Sequence, residues 1–302
     1  MDSEEIEKRT REVYHEIHCE QGNDESIYDR ITSMISHEFF QVDESFFNDK
    51  ICLDAGCGSN VNGTRALINL GAKKVHAFDL DVEPSFIETA QKFLKKFEGK
   101  YELKSGSVLD IPYEDNFFDF VYCNGVLHST TDLFGGLSEL SRVTKHGGTL
   151  YFSIFGAGGL FSQITKVLRN EYTKNLNFKS LIDNLTEQKI MESLNLIYTE
   201  LEKHDEPIIN KIPLDTITSL IDNDLILTIK DRIQTPIYDE TPIDDVVNWL
   251  ENNGFVDIKR LTRYPKFNNI RQFLSPLYHN YESDLAKILF NEGYLHMKAL
   301  KK

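Results

Sequence analysis

From residue 50 to residue 156 the chain alternates short apolar runs with amphipathic ones, and this alternation predicts its architecture. "KICLDA", "KKVHAFDLD", "YELKSGSV", "FFDFVYCNGV" and "GGTLYFSIFG" are apolar runs of strand length. Between them, "VNGTRALINLGA" reads as a short helix ended by Gly71. "PSFIETAQKFLKKF" places Phe86, Ala90, Phe93, Leu94 and Phe97 on one helical face, with Ser85 or a neighbour as the cap. Another helix is expected around Leu133, Leu137 and Leu140. Strands and helices alternating at this spacing form parallel βαβ units, with helices on both faces of a doubly wound sheet and right-handed crossovers.

The flanks have a different rhythm. Upstream, helices are predicted over 3–18 and 24–39, the second from the stripe Ile27, Ile31, Met34 and Ile35. Downstream, residues 160–235 read as largely helical. "TPIDDVVNWLENNGF" predicts a helix with Thr241 as N-cap, Pro242 in the first helical position and Gly254 at its end. "FVDIKRL" and "GYLHMKALKK" read as the last two strands. The expected division is an N-terminal helical segment (1–47), a core (48–157), a helical insertion (158–240) and a C-terminal return to the core (241–302).

Composition narrows the partners. The 33 basic and 48 acidic residues of this 302-residue chain give a formal net charge of −15, which repels nucleic acid and anionic membrane surfaces. The longest nearly apolar run, residues 150–161, is too short to span a bilayer, and the charged N-terminus does not resemble a signal peptide. Cys19, Cys52, Cys57 and Cys123 form no CxxC pair and read as free thiols in a reducing compartment. A soluble, cytoplasmic protein is expected.

In an open parallel sheet, ligands bind beyond the carboxyl ends of the strands, so the turn after the first strand, "DAGCGSN", is the place to look. Gly56 and Gly58 let the backbone approach a ligand where a Cβ would collide, and Asp54 can accept from a bound ammonium. A dinucleotide fingerprint needs glycine three residues after Gly58, and that position is Val61. Asp79 ends the second strand, where a carboxylate can take both hydroxyls of a ribose diol; its neighbour Asp81 reads as solvated or as a helix cap.

The ordered set LDAGCG, AFDLD, GSVLDIPY, FDFVYCNGVLH and HGGTLYFSIFG resembles the class I S-adenosylmethionine-dependent methyltransferases, and within them the small-molecule group with the ubiquinone and menaquinone methylases. The resemblance covers roughly residues 48–157 and implies a seven-stranded, mostly parallel, Rossmann-like sheet with a helical cap. It implies that Asp54, Gly56 and Gly58 hold the methionine end of S-adenosylmethionine and that Asp79, with Leu80 beside it, holds the ribose. Ser107 and Val108 would contact adenine, and Asn124 would line the methionine moiety. One departure is Asn60 where a third small residue is usual; asparagine can take left-handed backbone geometry there.

The reading that follows is a methyltransferase acting on a small molecule, with O-methylation favoured. A hydroxyl acceptor needs a base, and His128, just past the fourth strand, is the candidate. The N-terminal helix is expected to close over the cofactor with Tyr14 or His18 facing the pocket, and the insertion to shape the acceptor site. His15, His18 and Cys19 lack a fourth ligand, so no metal is expected. The basic run at 259–271 reads as a solvated edge, with an anionic group on a substrate or partner as the alternative. "CNGV" stands where a nucleic-acid methyltransferase would show a Pro-Pro-Tyr type sequence. Two rivals remain: a nicotinamide-dependent oxidoreductase, and a non-catalytic partner protein of the same fold.

Overall fold

Seven runs pair into one sheet: Ile51–Ala55 (β1), Lys74–Asp79 (β2), Tyr101–Ser105 (β3), Phe118–Asn124 (β4), Thr144–Phe155 (β5), Phe255–Arg260 (β6) and Tyr294–Lys301 (β7). Their order is β3-β2-β1-β4-β5-β7-β6. β1 to β5 are parallel to one another, and β7 runs antiparallel between β5 and β6. The strand order reverses between β1 and β4, so the carboxyl ends of these two strands flank the crevice where such sheets bind ligands. The computed structural model describes residues 3–21, 31–32, 35–81, 83–203, 223–262, 274–278 and 280–302.

The apolar runs are nearly continuous because both faces are covered. On one face, Leu133–Val143 (α5) and Ile243–Asn252 (α10) set Leu137, Leu140, Val246 and Leu250 against Leu53, Val121 and Phe152. On the other, His37–Phe40 (α2) and Asn62–Asn69 (α3) cover Cys52, Phe120, Tyr122 and Tyr151. Phe40, Phe47 and Phe120 are fully buried there and meet edge-on at 5.0–5.9 Å, each contributing about 2–3 kcal/mol by burial. Pro84–Leu94 (α4) packs Phe86, Ala90 and Phe93 against Val61 and Ala77.

Outside the core lie Ser3–Gln21 (α1), Leu160–Lys174 (α6), Leu176–Asp183 (α7), Glu187–Lys203 (α8), Asn223–Gln234 (α9) and Asp284–Leu289 (α11). α9 packs against both α6 and α1. No described helix is long and apolar enough to cross a membrane.

Three local expectations change. The helix predicted over 24–39 is not continuous in its described part: Ser36 is extended (φ −139°) and its Oγ accepts from Phe39 N at 3.1 Å, so a new helix starts at His37. Residues 22–30 and 33–34 of that prediction lie outside the described residues. α4 has no side-chain cap: Glu83 takes the N-cap position, Pro84 follows, and Ser85 Oγ lies 3.3 Å from His15 Nε2 instead. Nor does Thr241 cap α10. Its backbone N–H donates to Phe155 O, Pro242 occupies the N-cap, and Glu292, from before β7, accepts from Ile243 N at 3.0 Å.

Candidate functional site

The turn after β1 is pinned by the neighbouring strand. Gly56 N and Cys57 N both donate to Phe78 O, and Gly58 N donates to Asp79 Oδ2 at 2.9 Å. Gly56 has φ +73° and a Cβ there would stand 2.4 Å from Val126 Cγ2, so this position accepts only glycine. The left-handed residue that starts α3 is Val61 (φ 45°, ψ 39°), not Asn60. A β-branched residue in that region is strained, and its fully buried side chain holds it there.

Beyond this turn opens a cavity of about 240 Å³, many times the ~15 Å³ that one water needs, so it has room for a small organic ligand. Asp54, Gly56, Gly58, Asp79, Leu80, Ser107, Val108, Asn124 and Tyr14 all line it. Asp54 is 2% exposed, and Thr64 Oγ1 donates to its Oδ2 at 2.7 Å. Burial pushes its carboxyl up to about 7, against the pull of the Thr64 hydrogen bonds and with a further push from the Asp79 charge. Asp79 is tied to Gly58 N and, through Oδ1, to Asp81 N at 3.0 Å.

Asn60 and Asn62 also line the cavity, and their side-chain Oδ1 atoms are buried with no hydrogen-bond partner among the described residues. A buried acceptor without a partner is costly, and a ligand that donates hydrogen bonds relieves it.

α1 roofs the cavity with Glu7, Thr10, Arg11 and Tyr14, a polar stripe at i, i+3, i+4 and i+7. Polar contacts from three of its residues, Glu7, Tyr14 and His15, help anchor it. Ser107 Oγ donates to Glu7 Oε1 at 2.8 Å, His15 Nδ1 lies 2.6 Å from Asp81 Oδ2, and Tyr14 Oη donates to Asp231 Oδ1 at 2.8 Å and lies 3.1 Å from Ser129 Oγ. Asp81 is therefore a buried anchor for α1, not a solvated acid. Burial and the Asp231 charge raise the Tyr14 phenol well above its ordinary value, so it keeps its proton. The side chains of His18 and Cys19, and residues 263–271 of the basic run, lie outside the described residues.

His128 is placed differently. It is absent from the cavity lining and 3% exposed, its ring centroid lies 4.0 Å from that of Phe155, and its Nδ1 has no partner among the described residues. Burial, and secondarily the charge of Arg232, lower its pKa to about 3. An imidazole so placed is neutral and a poor proton acceptor, which removes the reason for its base role. Cys52, Cys57 and Cys123 are buried and free, with burial pushing each thiol up.

Spacing along α1 could have revealed Glu7, Thr10 and Arg11, and the hydroxyl run Ser129-Thr130-Thr131 follows directly on β4. Asp231 carries no such signal, because it meets Tyr14 across 217 residues of sequence.

The family model described as "Methyltransferase domain" matches residues 53–152, the stretch that builds β1 to β5 and the turn around the cavity. That stretch is a third of the chain, and it is similar to a methyltransferase domain. A demethylmenaquinone methyltransferase from Staphylococcus epidermidis is 27% identical over 140 residues, covering 44% of this chain and 57% of that protein. One from Bacillus mycoides is 32% identical over 97 residues, covering 32% and 40%. The chain thus spans about half the length of the curated relatives it matches. Among solved structures, the 1,6-didemethyltoxoflavin-N1-methyltransferase of Burkholderia thailandensis, with bound 1,6-didemethyltoxoflavin and S-adenosylhomocysteine, superposes with TM-score 0.51. It is 16% identical and covers 100% of this chain and 91% of its own, a likeness of fold. Outside the matched residues 53–152 lie α1, α2, α6 to α11 and the strands β6 and β7.

Proposed function

We propose that the protein is an S-adenosylmethionine-dependent methyltransferase acting on a small molecule, with an oxygen nucleophile favoured. The observation that carries this reading is the pair Asp54 and Asp79, at the ends of adjacent strands, opening with the unpartnered Asn60 and Asn62 oxygens onto one cavity. The cofactor offers an ammonium and a ribose diol, the donors such a wall of acceptors requires. When bound, S-adenosylmethionine supplies an electrophilic methyl group.

Asp54 faces the ammonium, Asp79 and Leu80 the ribose, and Ser107 and Val108 the adenine, with Gly56 and Gly58 leaving room for the methionine chain. α1 serves as the lid, excluding water and aligning the acceptor, from which much of the rate of an in-line transfer arises. The acceptor side is lined by Thr10, Tyr14, Ser129, Thr130 and Thr131, hydroxyls suited to a polar oxygen acceptor. The acceptor's proton has a route from its hydroxyl to Tyr14 Oη as the Tyr14 proton passes to Asp231. The free thiols suit a reducing cytoplasm, and the charge of −15 suits a small-molecule acceptor better than nucleic acid.

His128 is given no catalytic role. His128→Gln is expected to change the methyl-transfer rate by less than about threefold with the same pH profile, whereas loss of a general base costs roughly 10²–10⁴. Transfer of tritiated methyl from S-adenosylmethionine to a panel of hydroquinones, phenols, demethylmenaquinone, carboxylic acids and amines tests the function. Label in methyl ethers or esters is expected. Label confined to amines would contradict the oxygen acceptor, and none with any acceptor would contradict the enzyme.

A further inference from the structure

Asn124, the last residue of β4, lies at the cavity wall beside the β1 turn. In the β1–β4 register Asp54 stands opposite Tyr122, and Asn124 is two residues further on, on the same face of the sheet. Two hydroxyls from β5 reach its carboxamide from behind. Tyr151 Oη donates to Asn124 Oδ1 at 3.1 Å and Ser153 Oγ donates to the same oxygen at 2.9 Å.

Each hydroxyl is itself held. Tyr151 Oη is hydrogen-bonded to His296 Nδ1 at 2.9 Å, and its fully buried ring stacks on Tyr122 at 5.0 Å. Ser153 Oγ accepts from Gly125 N at 3.0 Å and lies 3.1 Å from the Tyr294 hydroxyl. The two lone pairs of Oδ1 are thereby used on the β5 side. The Nδ2 of Asn124 has no hydrogen-bond partner among the described residues, and it is the group left for the cavity.

We infer that Tyr151 and Ser153 are positioning residues that orient the Asn124 amide so that its N–H bonds donate to the carboxylate of the cofactor's methionine moiety. This rests on the proposed cofactor reading and goes beyond it. Besides the Arg11 cation of the α1 roof, the cavity lining supplies the acceptors Asp54, Asn60 Oδ1 and Asn62 Oδ1. They answer the ammonium but repel the adjacent carboxylate. Asn124 also lines this cavity, and because two β5 hydroxyls hold its oxygen, Nδ2 is the donor it has left for the carboxylate.

Calorimetry with two probes, S-adenosylhomocysteine and 5′-methylthioadenosine, tests this without an acceptor. The second probe shares the adenosine and thioether but lacks the carboxylate and ammonium. Tyr151→Phe removes one hydroxyl and leaves the packed ring. It is expected to weaken S-adenosylhomocysteine about five- to tenfold, the effect of one lost hydrogen bond, with 5′-methylthioadenosine unchanged within about twofold. Asn124→Asp replaces the donor by an acceptor and is expected to weaken S-adenosylhomocysteine more than about tenfold, again with 5′-methylthioadenosine spared.

Equal losses for both probes would mean that the residues merely shape the cavity, and would overturn the inference. So would S-adenosylhomocysteine binding left unchanged in Tyr151→Phe. So would binding kept or tightened in Asn124→Asp, which would mean that the amide oxygen faces the ammonium. Wild-type protein that binds neither probe would overturn the cofactor reading, and this inference with it.

Discussion

Asp79→Ala is expected to weaken S-adenosylhomocysteine by about a hundredfold or more, since two hydrogen bonds to a charged carboxylate contribute roughly 1.5–3 kcal/mol each. The carboxylate also organises the site before any ligand arrives: it accepts from Gly58 N and Asp81 N, joining the glycine turn to the end of β2. The alanine variant therefore loses the diol acceptor and loosens the turn together. Asp79→Asn separates the two, because its one amide oxygen can still hold Gly58 N while the charge is gone. Calorimetry should place its affinity between wild type and alanine. Asparagine binding like wild type would show that the charge contributes nothing to the ribose contact.

The second large effect is a pH dependence. The Asp54 carboxyl is raised by burial from its ordinary value near 4 to about 7. Between these values the folded, ligand-free protein holds a proton that the unfolded chain has released. Stability of the free protein therefore falls as pH rises from about 4 to about 7, by up to roughly 4 kcal/mol. An ammonium beside Asp54 reverses the preference and favours the ionised form. At pH 6 about nine-tenths of the free protein must then lose this proton on binding, and at pH 8 about one-tenth, so S-adenosylhomocysteine should bind roughly tenfold more tightly at pH 8. Calorimetry in buffers of different ionisation enthalpy reads the released proton directly. Asp54→Asn should remove both the proton release and the pH dependence; a dependence that persists in that variant would assign it to another group.

The core is legible because its signals are local. β1, β2 and β4 are short runs buried on both faces, and α4 and α5 carry unbroken 3.6-residue stripes. What the chain hides is non-local. The donor at α10's N-terminus is satisfied by Glu292, 49 residues away, so Thr241 looked like a cap when a distant carboxylate does that work. Ile35 continued a periodic stripe, yet Ser36 starts a new turn because its side chain can satisfy Phe39 N. The cavity wall was readable where motifs fix it, as with Gly56 and Asp79. His128 shows the limit: a histidine just past β4 looked like a base, and only its packing beneath Phe155 shows it to be enclosed. Val61 shows the converse, since side-chain burial holds a left-handed conformation that a motif would have given to glycine.

The most direct test of the central claim is calorimetric titration of the folded, ligand-free protein with S-adenosylhomocysteine, and with NAD⁺ as the control. Saturable binding of one S-adenosylhomocysteine per chain, with no heat from NAD⁺, is the predicted result. Binding of NAD⁺ alone, or of neither ligand, would contradict it.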